Sequence, residues 1–123
     1  EPINPRIVET QLSGAAIMQL GCTMFERMDF DAGQVTNASL ADYRIPGFHD
    51  IPLDIRNEVV DAEQRSGPFG AKGVGETATF SVSPAIANAL DDAVGVRLLS
   101  LPLTAETVYR AIRLKMNDPL EDD

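Results

Sequence analysis

An apolar repeat of four residues runs through the first part of the chain and predicts a long amphipathic helix from about Arg6 to Met28. The repeat consists of Val8, Leu12, Ala16, Leu20 and Met24. Residues at this spacing lie on one face of a helix, so we expect that face to pack against a core. Gly14 and Gly21 interrupt the pattern, each at a cost of about 1 kcal/mol relative to Ala. Their missing side chains indicate tight helix packing or, as the alternative, close approach of a ligand.

Shorter patterns predict the remaining elements. In chain order they are two short strands and a turn within 30–35, an ordered extended loop over 42–52, a half-buried strand over 53–61 and another strand over 96–101. Ser83 and Pro84 predict the start of a helix that ends at Gly95, and Thr104 predicts the cap of a last helix. Because helices and strands alternate only roughly, we predict a two-layer α+β fold with about three helices on a small mixed sheet.

Length and charge restrict the domain organisation and the partners. We interpret residues 1–123 as a single domain with a modest core. The formal net charge of −9 argues against sequence-independent binding to nucleic acid, which requires clustered Lys and Arg. No apolar run reaches the roughly 18 residues of a membrane span.

The two ends and the single cysteine allow further expectations. Residues 1–5 contain two prolines and no initiator Met, so we expect a linker-like start and a chain that was cut from something longer or processed. The acidic residues 117–123 predict a solvated tail. Cys22 lies within the helical pattern and is interpreted as a buried small side chain rather than a reactive thiol. The single cysteine does not indicate the cellular compartment. We predict the cytoplasm, with the periplasm as the alternative.

The stretch from Gly70 to Glu76 is the main candidate for a functional site, because it presents one lysine and one carboxylate on a glycine-rich backbone. It does not match a phosphate-binding loop, since Gly73 follows Lys72 where that motif requires Ser or Thr. A dinucleotide site fails as well, because the preceding predicted strand ends too early and no acidic residue closes a second strand about 20 residues later. The loop therefore fits neither of the common nucleotide-binding patterns.

Glu76 is a candidate general base, because a carboxylate in a tight, partly dehydrated pocket accepts protons readily. From the residues alone, a turn whose glutamate caps a helix or lies in water is the simpler interpretation. His49 is the only histidine and has no Cys or His at ligand spacing, so it is interpreted as a structural hydrogen-bonding group. We predict no metal ligands among the protein side chains.

An ordered series of motifs resembles one protein family over roughly residues 3–112. In chain order the series is Ile3-Asn4-Pro5, Gln11-x-x-Gly14, Gln19-x-Gly21, Asp42-Tyr43-x-x-Pro46, Asp50-Ile51-Pro52, the stretch from Gly70 to Glu76, residues 85–89 and Leu101-Pro102-Leu103-Thr104. It is similar to the C-terminal part of the molybdenum-binding large subunit of the xanthine dehydrogenase and aldehyde oxidase family, the molybdenum hydroxylases. An ordered series of this kind is far more specific than a lone glycine loop.

The resemblance implies that the chain is part of an oxidoreductase that hydroxylates an aldehyde or an N-heterocycle with oxygen from water. It implies that Glu76 is the general base, which removes a proton from a molybdenum-bound hydroxyl. It also implies that Gln11, Lys72, Gly73 and Gly75 bind a molybdopterin-type cofactor. In this family the pterin holds the metal, and protein side chains do not.

The resemblance further implies partners: the rest of the molybdenum-binding subunit, together with iron–sulfur and flavin subunits or domains. Because the family's large subunit is several times longer, we predict that the 123-residue chain alone binds no cofactor and is inactive. The alternative is a stand-alone, non-catalytic interaction or oligomerisation module derived from such a subunit, for example a homodimer.

Overall fold

In the computed structural model, which describes residues 1–117, helix α1, Pro5–Met24, begins one residue before the predicted start at about Arg6. The Oδ1 atom of Asn4 accepts a hydrogen bond from the Ile7 N–H at 3.2 Å. Pro5 takes the first helical position, where an N–H group has no intrahelical partner. The segment expected to be linker-like therefore contains the cap and the first residue of the helix. All but residue 117 of the predicted acidic tail, 117–123, lies outside the described residues.

The predicted end of this helix at Met28 is wrong, because the helix closes one turn earlier. The N–H groups of Phe25 and Glu26 both donate to the Gly21 carbonyl oxygen at 2.9 Å. Phe25 has left the helical region, with φ −126 and ψ −45. The apolar periodicity continues past this point, but the backbone does not follow it.

The predicted hairpin is confirmed, and it forms the whole sheet within the described residues. Strand β1, Phe30–Asp31, pairs antiparallel with strand β2, Gln34–Val35. The two turn residues, Ala32 and Gly33, have φ values of 44 and 83, and such turns match the twist of paired strands. The sheet is therefore small, as predicted, but antiparallel instead of mixed.

The strands predicted over 53–61 and 96–101 are absent, because neither segment has a neighbouring strand to pair with. A side chain holds the first segment instead: the Asn57 amide donates to the Glu9 carbonyl at 3.1 Å and to the Ser13 hydroxyl at 2.6 Å, both on α1. Alternation of apolar and polar residues is compatible with a strand, but a strand also requires a neighbour to pair with, which neither segment has in the described part of the chain.

Helix α2, Val82–Val94, ends at the predicted residue, Gly95, which has φ 64 and ψ 34. Its start differs from the prediction, because Ser81 and not Ser83 is the residue before the helix. Helix α3, Ala105–Lys115, begins as predicted, since the Thr104 hydroxyl accepts from the Thr107 N–H at 3.1 Å. The α+β class with three helices and a small sheet is thus confirmed.

The α1–α2 junction, defined by Gln19, Thr23, Ser83 and Leu103, joins the two longer helices. Thr23 is fully buried, and its hydroxyl donates to the Gln19 carbonyl at 2.6 Å. Since that bond uses the only hydroxyl proton of Thr23, the Ser83 hydroxyl is the donor in the 2.7 Å bond between the two hydroxyls. Ser83 in turn accepts from the Gln19 side-chain amide at 2.7 Å. The Ser83 hydroxyl is therefore committed to helix packing, which explains why it does not cap α2.

The carbonyl of Thr23 extends the junction to the segment before α3. It accepts a hydrogen bond from the Leu103 N–H at 2.6 Å. The Leu103 side chain is 1% exposed and is the largest buried apolar side chain of the described residues. The junction therefore connects α1, α2 and the segment before α3 at the buried residues Thr23 and Leu103.

The two glycines of α1 have different surroundings. A Cβ atom at Gly21 would lie 2.8 Å from Cδ of Pro46 and would also overlap the Glu26 carboxylate, so the loop after the hairpin packs directly on the helix backbone. A Cβ atom at Gly14 would meet nothing within 4 Å. Tight packing therefore accounts for Gly21 but not for Gly14.

The chain exposes an unusually large surface for its mass. Its accessible surface is 9608 Å², whereas a compact monomer of this size exposes about 6,500 Å². Phe48, Phe69 and Phe80 are 85%, 109% and 77% exposed. No helix of residues 1–117 combines the length and the apolar character that crossing a membrane requires.

Replacement of Leu103 by Ala is expected to lower the free energy of unfolding of the purified chain by about 2–5 kcal/mol, because it leaves a cavity at a buried site. Leu99→Ala is the matched control, since Leu99 is 91% exposed. Urea denaturation followed by circular dichroism measures both variants. Equal losses would contradict the assigned core.

The thiol of Cys22 is expected to react slowly with disulfide reagents. Partial burial, followed by the nearby Glu26 carboxylate, raises the pKa of the Cys22 thiol, so less thiolate is present at pH 8 than in an unstructured peptide. The measurement is the rate of reaction with an aromatic disulfide from pH 7 to 10, with the urea-unfolded chain as the control. A faster reaction in the folded chain would contradict this expectation.

Candidate functional site

A cleft of about 420 Å³ lies beside the glycine-rich loop, and we call it the loop cleft. One wall comes from residues 1–4 and the start of α1, a second from residues 59–62, and a third from residues 70–74. Gln11, Lys72 and Gly73, three of the predicted site residues, line it. The fold therefore brings together residues that are about 60 positions apart in the sequence.

Gln11 makes the contact that connects α1 to the loop. Its side-chain amide nitrogen donates to the Gly75 carbonyl oxygen at 2.9 Å. Gln11 lies almost two turns after the start of α1, so the loop is attached to the longest helix of the described residues. Gln11 and Gly75, two of the predicted site residues, are thus joined directly.

The glycines of the loop have different reasons to be glycine. Gly70 has φ 69, a conformation that side chains disfavour, so it is required for the turn. Gly73 and Gly75 do not have positive φ, and a Cβ atom at either position would meet nothing within 4 Å. Their missing side chains leave the backbone open to a molecule from outside the chain. Lys72 lies between Gly70 and Gly73. Its side chain is exposed and supplies a cation at the cleft.

Glu76 is the last residue of the loop and is exposed. Its backbone carbonyl accepts hydrogen bonds from the Thr79 N–H at 3.0 Å and the Thr79 hydroxyl at 2.7 Å. Its carboxylate is not part of the wall of the loop cleft. Within residues 1–117 no dehydrated pocket surrounds it, so any such pocket requires atoms from outside this part of the chain.

Two features of the site were not predicted from the sequence. The wall at residues 59–62 was interpreted as part of a strand. The role of Thr79 was missed, although a Thr three residues after a Glu is a recognisable signal for a hydroxyl that bonds back to the earlier carbonyl.

The remaining candidate residue, His49, lies outside the loop cleft. Its ring meets the ring of Phe48 edge to face, with 6.0 Å between the centroids. Across residues 1–117, no three His, Cys, Asp or Glu side chains are grouped so that they could hold a metal ion.

A second hollow of about 270 Å³ lies between α2 and residues 97–103. Arg97 lines it and is paired with Asp91, and it also donates to the Asn88 side chain at 3.2 Å. Its guanidinium is therefore engaged within the chain, and the hollow holds none of the predicted site residues.

Comparison with known proteins identifies the family. Residues 1–52 match the family model described as a molybdopterin cofactor-binding domain. The chain is 35% identical to the xanthine dehydrogenase molybdenum-binding subunit of Escherichia coli O157:H7, over 91% of the chain and 15% of that protein. It is 37% identical to the aldehyde oxidoreductase molybdenum-binding subunit of Escherichia coli strain K12, over 85% of the chain and 14% of that protein.

A solved structure agrees with these sequence matches. The crystal structure of quinoline 2-oxidoreductase from Pseudomonas putida 86 superposes with a TM-score of 0.81 at 36% identity, over 90% of the chain and 14% of that protein. The chain thus spans about one seventh of the length of the proteins that it matches. It belongs to the xanthine dehydrogenase and aldehyde oxidase family of molybdenum hydroxylases, as part of the molybdenum-binding subunit.

Proposed function

We propose that this chain contributes the loop cleft to the cofactor site of a larger molybdenum-dependent oxidoreductase. That enzyme hydroxylates an aldehyde or an N-heterocycle with oxygen derived from water. The observation that carries the proposal is the 2.9 Å bond from Gln11 to Gly75, which joins α1 to the open glycine backbone beside the cleft. Relatives named as xanthine dehydrogenase and aldehyde oxidoreductase subunits support the substrate class.

The residues present fit a pterin-type cofactor. Such a group offers a planar heterocycle with many hydrogen-bonding atoms and a phosphate. The open backbone at Gly73 and Gly75 can approach a planar ring without obstruction from a Cβ atom. Lys72 supplies a positive charge, which suits a phosphate. In this proposal Gln11, Lys72, Gly73 and Gly75 hold the cofactor, which supplies the metal centre for the two-electron oxidation.

Glu76 acts in this proposal as the general base. One carboxylate oxygen of Glu76 accepts the proton of the water-derived oxygen nucleophile as that oxygen attacks the electrophilic carbon of the substrate. The exposed carboxylate is free for this role, because Glu76 uses only its backbone carbonyl in the contact with Thr79. The rest of the subunit would cover the carboxylate and exclude bulk water.

The exposed surface supports the proposal that the rest of the subunit is the main partner. The accessible surface of 9608 Å² exceeds that of a compact monomer by about 3,100 Å². A difference of this size is larger than the roughly 800 Å² that one partner buries in an interface of standard size. Iron–sulfur and flavin units are proposed as further partners of the complete enzyme, from the family resemblance alone.

A non-catalytic module remains the second candidate, and the same observation favours it. A second copy of the chain could cover the exposed apolar side chains, such as Phe69 and Phe80, as well as a larger subunit could. Analytical ultracentrifugation of the purified chain separates the two candidates, because a tight dimer is expected only for the module.

In the complete enzyme, Glu76→Gln is expected to lower kcat by at least about 10²–10⁴-fold, because the amide cannot accept the proton. Molybdenum and pterin contents are expected to stay at the wild-type level. Glu106→Gln is the matched control, since Glu106 is exposed on α3 and pairs with Arg110. Wild-type turnover in Glu76→Gln would refute the assignment of the base.

The purified chain by itself is expected to contain far less than one molybdenum per chain and to oxidise neither aldehydes nor purines. The physical reason is that its cleft is open on the side where the rest of the subunit would close it. Metal analysis by mass spectrometry and a dye-reduction assay test this expectation. Stoichiometric molybdenum in the chain would contradict it.

A further inference from the structure

Both carbonyl groups that flank the Cα atom of Glu76 are held by hydrogen bonds. On the amino-terminal side, the Gly75 carbonyl accepts from the Gln11 side chain at 2.9 Å. On the carboxyl-terminal side, the Glu76 carbonyl accepts from the Thr79 N–H at 3.0 Å and from the Thr79 hydroxyl at 2.7 Å. The carboxylate itself is exposed.

These contacts determine the direction of the Glu76 side chain. A peptide unit is planar, so fixing its carbonyl oxygen restricts the orientation of the whole unit. The Gly75 carbonyl belongs to the plane before the Glu76 Cα atom, and the Glu76 carbonyl belongs to the plane after it. When both planes are held, φ and ψ of Glu76 are restricted, and the Cα–Cβ bond points in one direction.

The surrounding chain does not supply this restriction by packing. Gly73 and Gly75 have no side chains, and no atoms lie within 4 Å of the positions where their Cβ atoms would be. Glycine backbone is also the most conformationally free. The bond from Gln11 links this loose stretch to α1, a helix of 20 residues. Thr79 lies in the turn that leads into α2. The peptide plane before Glu76 is therefore connected to α1, and the plane after it is connected to the turn before α2.

We propose that Gln11 and Thr79 are positioning residues for Glu76. They hold its backbone so that the carboxylate is presented at one place relative to α1, and a misplacement of about 1 Å can cost a reaction about 100-fold. This role is additional to any cofactor contact of Gln11, and it rests on the proposed function of Glu76 as the base. The amide nitrogen of Gln11 donates to the loop, which leaves its amide oxygen for other contacts.

The first test measures backbone motion and does not depend on activity. In the complete subunit without cofactor, Gln11→Glu keeps the shape of the side chain but removes the donor. Amide hydrogen exchange across residues 73–82 is expected to become about 2- to 10-fold faster, the effect of one lost hydrogen bond. Gln34→Glu in the exposed strand β2 carries the same charge change and should leave this segment unaffected. Unchanged exchange in Gln11→Glu would overturn the proposal.

The second test measures the loaded enzyme. Gln11→Glu and Thr79→Val are each expected to lower kcat per bound molybdenum by about 10- to 100-fold, while KM changes by less than about threefold. The cofactor content is expected to stay at the wild-type level in Thr79→Val. Thr79→Ser retains the hydroxyl and should recover kcat to within about threefold of wild type. Thr10→Val is the matched control, because the Thr10 hydroxyl bonds only to the Arg6 carbonyl within α1.

The outcomes separate this inference from the proposed function. Loss of molybdenum in proportion to the loss of kcat in Gln11→Glu would overturn the positioning role and leave a cofactor contact. Wild-type kcat in both Gln11→Glu and Thr79→Val would also overturn it. If Glu76→Gln retains turnover, the assignment of the base fails, and the exchange experiment still reports whether Gln11 holds the loop.

Discussion

The buried hydroxyl of Thr23 is the contact on which the arrangement of the helices depends. It is fully buried, and its two hydrogen bonds join the backbone of α1 to the Ser83 side chain of α2. Buried polar groups of this kind are costly unless every partner is in place, and so they select one arrangement of the helices over others. Leu103 belongs to the same junction: its side chain is buried, and its N–H group donates to the Thr23 carbonyl.

The rest of the described chain has little core of its own. The buried apolar residues are Ala15, Val96 and Leu103, while many large apolar side chains are exposed. The hydrophobic contribution to folding is proportional to the apolar area removed from water, so a chain with this distribution gains much of its stabilisation only when other surfaces cover it. This is the physical reason for interpreting the chain as a piece of a larger assembly, and it agrees with its match to about one seventh of its relatives.

The position of the candidate site depends on two contacts of α1. One side of the helix packs on α2 through the junction. The exposed Gln11 side chain, about two turns before Gln19, reaches the loop from Gly70 to Glu76. The loop is held by a side chain and not by a strand ladder. The backbone at Gly73 and Gly75 can therefore stay open. A site of this design has a rigid support on one side and an accessible surface on the other.

The sequence by itself determined the features that depend on local interactions. The hairpin turn, the cap at Thr104 and the end of α2 at Gly95 follow from backbone preferences and side-chain caps, and the structure has them where the residues indicate. The series of motifs also identified the family and the residues proposed for its site. Tertiary structure decided what depends on distant partners: whether extended segments pair into strands, where α2 starts, and where α1 stops. It also decided that Gln11 bonds to Gly75 and that Thr79 holds the Glu76 carbonyl, because hydrogen bonds between distant segments exist only after the chain has been brought together.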